Sequence, residues 1–143
     1  MNIGEAARRS GVSAKMIRHY EAQGLIAPGL RSEAGYRLFS ASDVDTLRFI
    51  RQSRLMGFSL PQVSDLLSLW RNPGRSSQEV KRLASAHVAE LDARIRELTA
   101  MRDALAGLAH SCHGDARPDC PILSGLADGV VRDPVRCMKN EEA

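Results

Sequence analysis

Three cysteines in 143 residues are too few for a disulfide framework, and an odd number leaves one unpaired in any scheme. No apolar run approaches the roughly 18 residues of a membrane span. The opening stretch MNIGEAARRSG carries arginines but no apolar segment of the secretory kind. The expectation is a cytoplasmic chain in which Cys112, Cys120 and Cys137 are thiols, open to metal or redox chemistry rather than to structural disulfides. Aromatics are scarce as well, and all six (Tyr20, Tyr36, Phe39, Phe49, Phe58 and Trp70) fall in the first half. A second half without one is a poor place for an aromatic drug pocket. Three cysteines also fall short of the four that an iron–sulfur cluster takes.

What is present is unevenly spread. Residues 1–75 hold 11 Lys/Arg against 6 Asp/Glu, a balance of 11 − 6 = +5; residues 76–143 hold 9 against 11, a balance of 9 − 11 = −2. The basic half is the place to look for a phosphate-facing surface. Its stretch IGEAARRSGVSAKMIRHYEAQGLI has the pattern of two short helices around a turn at Gly11. Ile3, Ala6 and Ala7 stripe the first helix; Ser13 is placed to cap the second, which carries Met16, Ile17 and Tyr20 on its apolar side. Lys15, Arg18 and His19 take the polar positions, the side chains that reach phosphates and base edges from a major groove. After Pro28 and Gly29, LRSEAGYRLFS reads as a hairpin wing with Arg31 and Arg37 flanking its tip and Tyr36 beside it.

Ser40 and Asp43 open a helix running to about Leu55. Ser59, Pro61 and Gln62 open another, which turns Leu60, Val63, Leu66, Leu67 and Trp70 inward. RNPGRSS breaks the pattern at Pro73 and Gly74. From about Ser76 to Ala109 there is no proline and no glycine before Gly107, and Ala84, Val88, Leu91, Ile95, Leu98, Arg102, Leu105 and Ala109 recur in steps of four and three. That is a heptad seam on a helix of roughly 45–50 Å, and pairing with a second copy is the simplest way to cover it.

Beyond the long helix, SCHGDARPDCP sets Cys112 and Cys120 on one polar loop, followed by the short apolar segment PILSGLA. Zinc takes four ligands, so the two thiolates would need His110, His113, Asp115 or Asp119. A soft monovalent ion such as Cu(I) accepts two thiolates readily. The spacing misses the C-x-x-C of redox dithiols, and spacing alone does not fix a coordination geometry. Two thiolates with one monovalent cation leave a net negative charge, which a helix starting after Cys120 could offset, as could Lys81 from a partner subunit if the long helices run antiparallel. A cysteine nucleophile paired with His110 or His113 would lack an orienting third group and leave the heptads and wing unexplained, so the chain is not read as an enzyme. The wing arginines argue against a bare coiled-coil adaptor. Cys137 beside Met138 is read as a dispensable tail thiol.

MNIGEAARRSGVSAKMIRHYEAQGLI, RSEAGYRLF, LRFIRQSRLMGFSL, VKR and CHGDARPDCPI together resemble the MerR family of bacterial transcription regulators, and the cysteine loop followed by PI resembles its copper-efflux branch, the CueR- and HmrR-like proteins. The resemblance implies a mainly α fold: a winged helix-turn-helix DNA-binding domain with a helical hairpin over 1–75, a dimerisation helix forming an antiparallel coiled coil over 76–110, a metal-binding loop and short helix over 111–127, and a flexible tail over 128–143. It implies a homodimer that binds double-stranded promoter DNA and, on binding Cu(I), Ag(I) or Au(I), distorts the promoter so that bacterial RNA polymerase can use it. Copper-resistance and efflux genes are the implied targets. It places Lys15, Arg18, Tyr20, Arg31, Tyr36, Arg37 and Arg54 at DNA-contacting positions and Cys112 and Cys120 at the metal. Divalent-ion sensors of the family carry a cysteine where this chain has Ser77, so Ser77, with Lys81 near it, marks the surroundings of a monovalent site. A divalent-metal or thiol-redox sensor of the same family is the alternative.

Overall fold

In the computed structural model, residues 1–129 are described, and they form six helices: α1 Ile3–Ser10, α2 Ala14–Ala22, α3 Ala41–Leu55, α4 Leu60–Arg71, α5 Ser77–Ser111 and α6 Pro121–Asp128. The chain divides into two compact units, Met1–Leu83 and Ala84–Ala143. Residues 130–143, and with them Cys137 and Met138, lie outside the described residues.

Local chemistry sets most helix ends in the first unit. The Asn2 side chain accepts from the Glu5 amide at 2.9 Å, and Ser13 accepts from that of Met16 at 3.2 Å, each satisfying a donor that the first turn leaves open. Gly11 closes α1 in the left-handed region at φ 78°, its N–H donating to Ala7 O. Reciprocal capping boxes, Ser40 with Asp43 and Ser59 with Gln62, start α3 and α4. Helix α3 packs on α1 and α4, and α1 on α2. The core between them includes Ala6, Ile17, Ile26, Leu47, Ile50 and Val63, all nearly inaccessible.

Two expectations need correction. The wing forms no strand among the described residues; it is a loop held by a single antiparallel bridge, Arg31 to Arg37. Ser32 N–H donates to Tyr36 O at 2.7 Å and Leu38 N–H to Leu30 O at 2.9 Å, but Gly35 turns the tip at φ 86° and Pro28 and Gly29 interrupt the other arm, so no ladder extends. The wing's return leg instead pairs with the chain start: Phe39 N–H donates to Met1 O at 2.7 Å, and the Met1 ammonium to Phe39 O at 2.8 Å. Trp70 does not turn inward. It is 42% exposed and stacks flat on Phe49, ring centroids 4.5 Å apart, so its indole roofs the core edge.

Helix α5 spans 35 residues, about 52 Å. Ser76, just before it, accepts from the Gln78 amide at 3.1 Å and so opens the helix. Along the heptad seam Val88, Ile95, Leu98 and Leu105 are all more than half exposed. Helix α6 returns onto the end of α5, where Gly125 is buried so tightly that a Cβ would meet Leu108 Cδ2 at 2.6 Å. Asp128, expected to begin the tail, is the last residue of α6, and Gly129 caps it at φ 71°.

Candidate functional site

The thiol loop begins as α5 ends. The Cys112 N–H donates to Ala109 O at 3.1 Å, Gly114 turns the chain at φ 65°, and Asp115 stiffens the far side by accepting from the Arg117 backbone N–H at 2.9 Å and from its Nε at 2.8 Å. The loop then delivers Cys120 to the N-cap position of α6, where its carbonyl accepts from Ser124 N–H at 3.0 Å. Both cysteines are free and half-buried.

The environment favours a thiolate at Cys120. The Leu123 backbone N–H is the main influence drawing this thiol below its usual 9.0; burial opposes it, and the Ile122 N–H and the Cys112 thiol add to it. No cap hydrogen bond of full geometry closes on the sulfur, so the effect is that of amide donors at the start of α6 aimed toward it. A soft cation fits the chemistry of this donor set: two half-buried thiols at the ends of one loop, one of them with its pKa lowered by backbone amides at the start of α6.

The other candidate ligands stand apart. His110 and His113 are exposed, and Asp115 is committed to Arg117. Among the described residues no three His, Cys, Asp or Glu side chains gather as a metal cluster. Ser77 and Lys81, both exposed, sit at the opposite end of α5 from Cys112.

On the basic unit, Lys15 and Arg18 are exposed on α2, and Arg31 and Tyr36 on the wing, where Arg31 Nη1 donates to Gly35 O at 3.1 Å and Tyr36 is 72% exposed. With Asn2, Ile3 and Glu21, three of these four (Arg18, Arg31 and Tyr36) border a cleft of about 900 Å³ between the helix-turn-helix and the wing. Arg54 is exposed and donates to Phe58 O at 2.9 Å. Two residues expected at DNA are placed otherwise. Tyr20 is 5% exposed and belongs to the hydrophobic core, because the 3.6-residue period that puts Ile17 inside carries Tyr20 with it. Arg37 has a side chain only 9% exposed, turned inward between Glu21 and Asp43. Sequence reasoning also missed that other arginines are structural: Arg48 donates to Arg9 O through Nε and Nη2 at 3.0 and 2.8 Å, and Arg71 reaches Leu25 O and Thr46 Oγ1. Only the pairing partners, distant in sequence, could have revealed this.

A helix-turn-helix with a basic, exposed second helix, joined to a long helix, defines a DNA-binding regulator. Residues 1–70 match the MerR HTH family of regulatory proteins, and residues 44–108 match the MerR DNA-binding family. Heavy metal-dependent transcription regulator 2 of Rhizobium meliloti (strain 1021) is 53% identical over 132 residues, 92% of this chain and 90% of that protein. The HTH-type transcriptional regulator CueR of Salmonella typhimurium (strain LT2) is 43% identical over 127 residues, 89% of this chain and 92% of that one. Among solved structures, the transcription regulator PbrR691 from Ralstonia metallidurans CH34 in complex with lead(II) is similar with a TM-score of 0.76 at 32% identity, covering 88% of this chain and 98% of that one.

The chain belongs to the MerR family, DNA-binding transcription regulators rather than enzymes. Regulators of this family bind promoter DNA as dimers.

Proposed function

We propose that this regulator responds to a monovalent soft ion, Cu(I) with Ag(I) or Au(I) as equivalents, held by Cys112 and Cys120, and that it activates copper-resistance or efflux genes from the cytoplasm. The observation that carries the reading is the thiol loop itself: two free, half-buried cysteines at its two ends, with the amides at the start of α6 lowering the pKa of Cys120. When bound, the ion neutralises one of the two thiolate charges. The start of α6 bears the other, joined by Lys81 of a partner whose α5 runs antiparallel. Ser77 in place of a thiol leaves a divalent ion short of a ligand.

The exposed seam of α5 is the homodimer contact in this reading. Lys15, Arg18, Arg31, Tyr36 and Arg54 are the DNA contacts, and the bound promoter is deformed so that bacterial RNA polymerase can engage it. The lead(II) complex of the PbrR691 relative favours a second reading, a divalent-ion sensor.

Anaerobic Cu(I) titration of the reduced protein with X-ray absorption at the copper edge separates them. One copper per chain with two sulfur neighbours, lost in Cys112→Ser and in Cys120→Ser and not displaced by Zn(II), is the expected result. Tight zinc or lead binding with added nitrogen or oxygen ligands transfers the function to a divalent ion.

A further inference from the structure

The wing has a mechanical problem. Isolated two-stranded hairpins are marginal in water, and this one is reduced to a single bridge. Yet Arg31 and Tyr36 at its tip reach the same duplex as Lys15 and Arg18 on α2 only if the wing keeps a fixed distance from that helix. Something outside the loop must hold it.

The geometry points to Arg37 as that clasp: it is a positioning residue that locks the wing to α2 and α3, and it does not itself contact phosphate. Its Nη2 donates to Ala27 O at 3.0 Å on the outgoing arm, and its Nη1 donates to Leu38 O on the returning arm. Nε faces Glu21 of α2 at 3.5 Å, close enough for an ion pair although no hydrogen bond closes there. Nη1 lies 3.5 Å from Asp43 Oδ2, the same oxygen that accepts from Ser40 N–H in the capping box of α3. The guanidinium also sits over the Phe39 ring, 4.4 Å from its centroid. Gly29 makes the space: a Cβ there would overlap the guanidinium. One side chain thus ties both arms of the wing, the recognition helix and the next helix, which only the planar multi-donor fork of arginine can do.

The inference rests on the DNA reading of α2 and the wing, and the charges around Arg37 give a test whose sign differs between the alternatives. Glu21→Gln removes a negative charge beside the proposed DNA face. If Arg37 were an ordinary phosphate ligand, this variant would bind DNA as tightly as the wild type or more tightly. If Arg37 is the clasp, the variant loosens the wing and binds more weakly. Affinity for a duplex selected from a random pool by the wild-type protein is measured across a salt series for wild type, Glu21→Gln, Arg37→Gln, Glu21→Gln/Arg37→Gln, Arg37→Lys, Gly29→Ala and Arg31→Gln. Hydrogen exchange of the Ser32 and Leu38 amides is followed in the same proteins without DNA.

The clasp predicts about threefold or greater weakening in Glu21→Gln, on the scale of 0.6 kcal/mol or more. Arg37→Gln weakens binding further, with no additional loss in the Glu21→Gln/Arg37→Gln double variant and no rescue by Arg37→Lys. Exchange of the Ser32 and Leu38 amides quickens in Glu21→Gln, Arg37→Gln and Gly29→Ala. Arg31→Gln keeps slow exchange but lowers the salt slope by about 0.9 for each phosphate it no longer neutralises. Unchanged or tighter binding by Glu21→Gln, or unchanged wing exchange in Arg37→Gln, overturns the clasp. Failure of the wild type to select any duplex overturns the DNA reading instead, while the exchange data still decide the clasp.

Discussion

Replacing Ile95 and Leu98 by alanine should dissociate the dimer. The two side chains are 60% and 62% exposed on the isolated chain, yet they occupy consecutive seam positions of a helix whose opposite positions are polar. Full burial of such a side chain is worth roughly 1.5–3 kcal/mol, so covering the exposed three-fifths yields about 1–2 kcal/mol each. A symmetric interface counts each position twice, giving about 4–8 kcal/mol for the four side chains. Alanine keeps one carbon in four, so the double variant forfeits about 3–6 kcal/mol, a rise in the dimer dissociation constant of roughly 10² to 10⁴-fold. Sedimentation equilibrium over a wide concentration range reads this directly, with Arg96→Ala, on the same helix but off the seam, as the control. Each variant should keep the wild-type helix content by circular dichroism at concentrations where it remains dimeric. A wild-type dissociation constant in Ile95→Ala/Leu98→Ala would refute the assignment of the seam.

Further outcomes follow from the same physical terms. Cys120 has a depressed thiol pKa, so its thiolate contributes to folding above the unfolded-state value and that contribution is lost as pH falls through the folded-state value; the pH midpoint for iodoacetamide labelling of Cys120 should lie below that of the same thiol in urea-unfolded protein, and an equal or higher midpoint contradicts the role given to the α6 amides. Ser40→Ala removes the hydroxyl that accepts from the Asp43 amide and should destabilise the first unit by about 1 kcal/mol in urea titrations, with a smaller loss in Ser40→Gly. Gly125→Ala should loosen α6 and weaken metal binding despite alanine's better helix propensity, and Gly125→Ala/Leu108→Ala should recover affinity because the three atoms nearest the added Cβ all belong to the Leu108 side chain; weak binding persisting in the double variant would locate the effect elsewhere.

The elements legible in advance are those whose causes are local. Ser13, Ser40 with Asp43, and Ser59 with Gln62 cap the helices they precede, and each motif acts within four residues of chain. Gly11 and the pairing of α1 with α2 belong to the same class. The start of α6 is legible because Pro121 marks it. What escapes sequence reasoning depends on partners far along the chain. The inward turn of Arg37 is dictated by Glu21, Ala27 and Asp43, which no spacing rule connects to it. Helical period makes Trp70 a core residue, but Phe49 on α3 gives it a flat platform at the edge of the core. The alternation in the wing promises strands, whereas Pro28, Gly29 and Gly35 leave room for one bridge. Asp115 reads as a free carboxylate although its partner, Arg117, is two residues away; an aspartate two positions before an arginine in a tight loop is a signal that could have found the pair.

Under the proposed function, the two thiols and the DNA face are joined by a thermodynamic constraint that applies whatever ion binds. A metal changes the deformation of bound promoter DNA only by the difference between its affinities for the two protein–DNA arrangements, and equal affinity for both shifts nothing however tight the binding. A change in promoter state from 1:99 to 99:1 needs about 5.5 kcal/mol of such difference. By reciprocity, DNA held in the deformed arrangement must strengthen metal binding at the proposed Cys112 and Cys120 site by the same amount. The clasp at Arg37 bears on this exchange, because a wing free to swing would let the protein hold the duplex without transmitting strain to it. Loosening Arg37 is therefore expected to reduce the metal-dependent change in DNA shape by a larger factor than it reduces the metal affinity of the DNA-free protein. Permanganate reactivity of the promoter spacer, read with and without metal in Glu21→Gln and wild type, reports the first quantity, and titration of the free protein reports the second. If both fell in equal proportion, the wing would have no special part in the coupling and the loss would belong to the thiol loop.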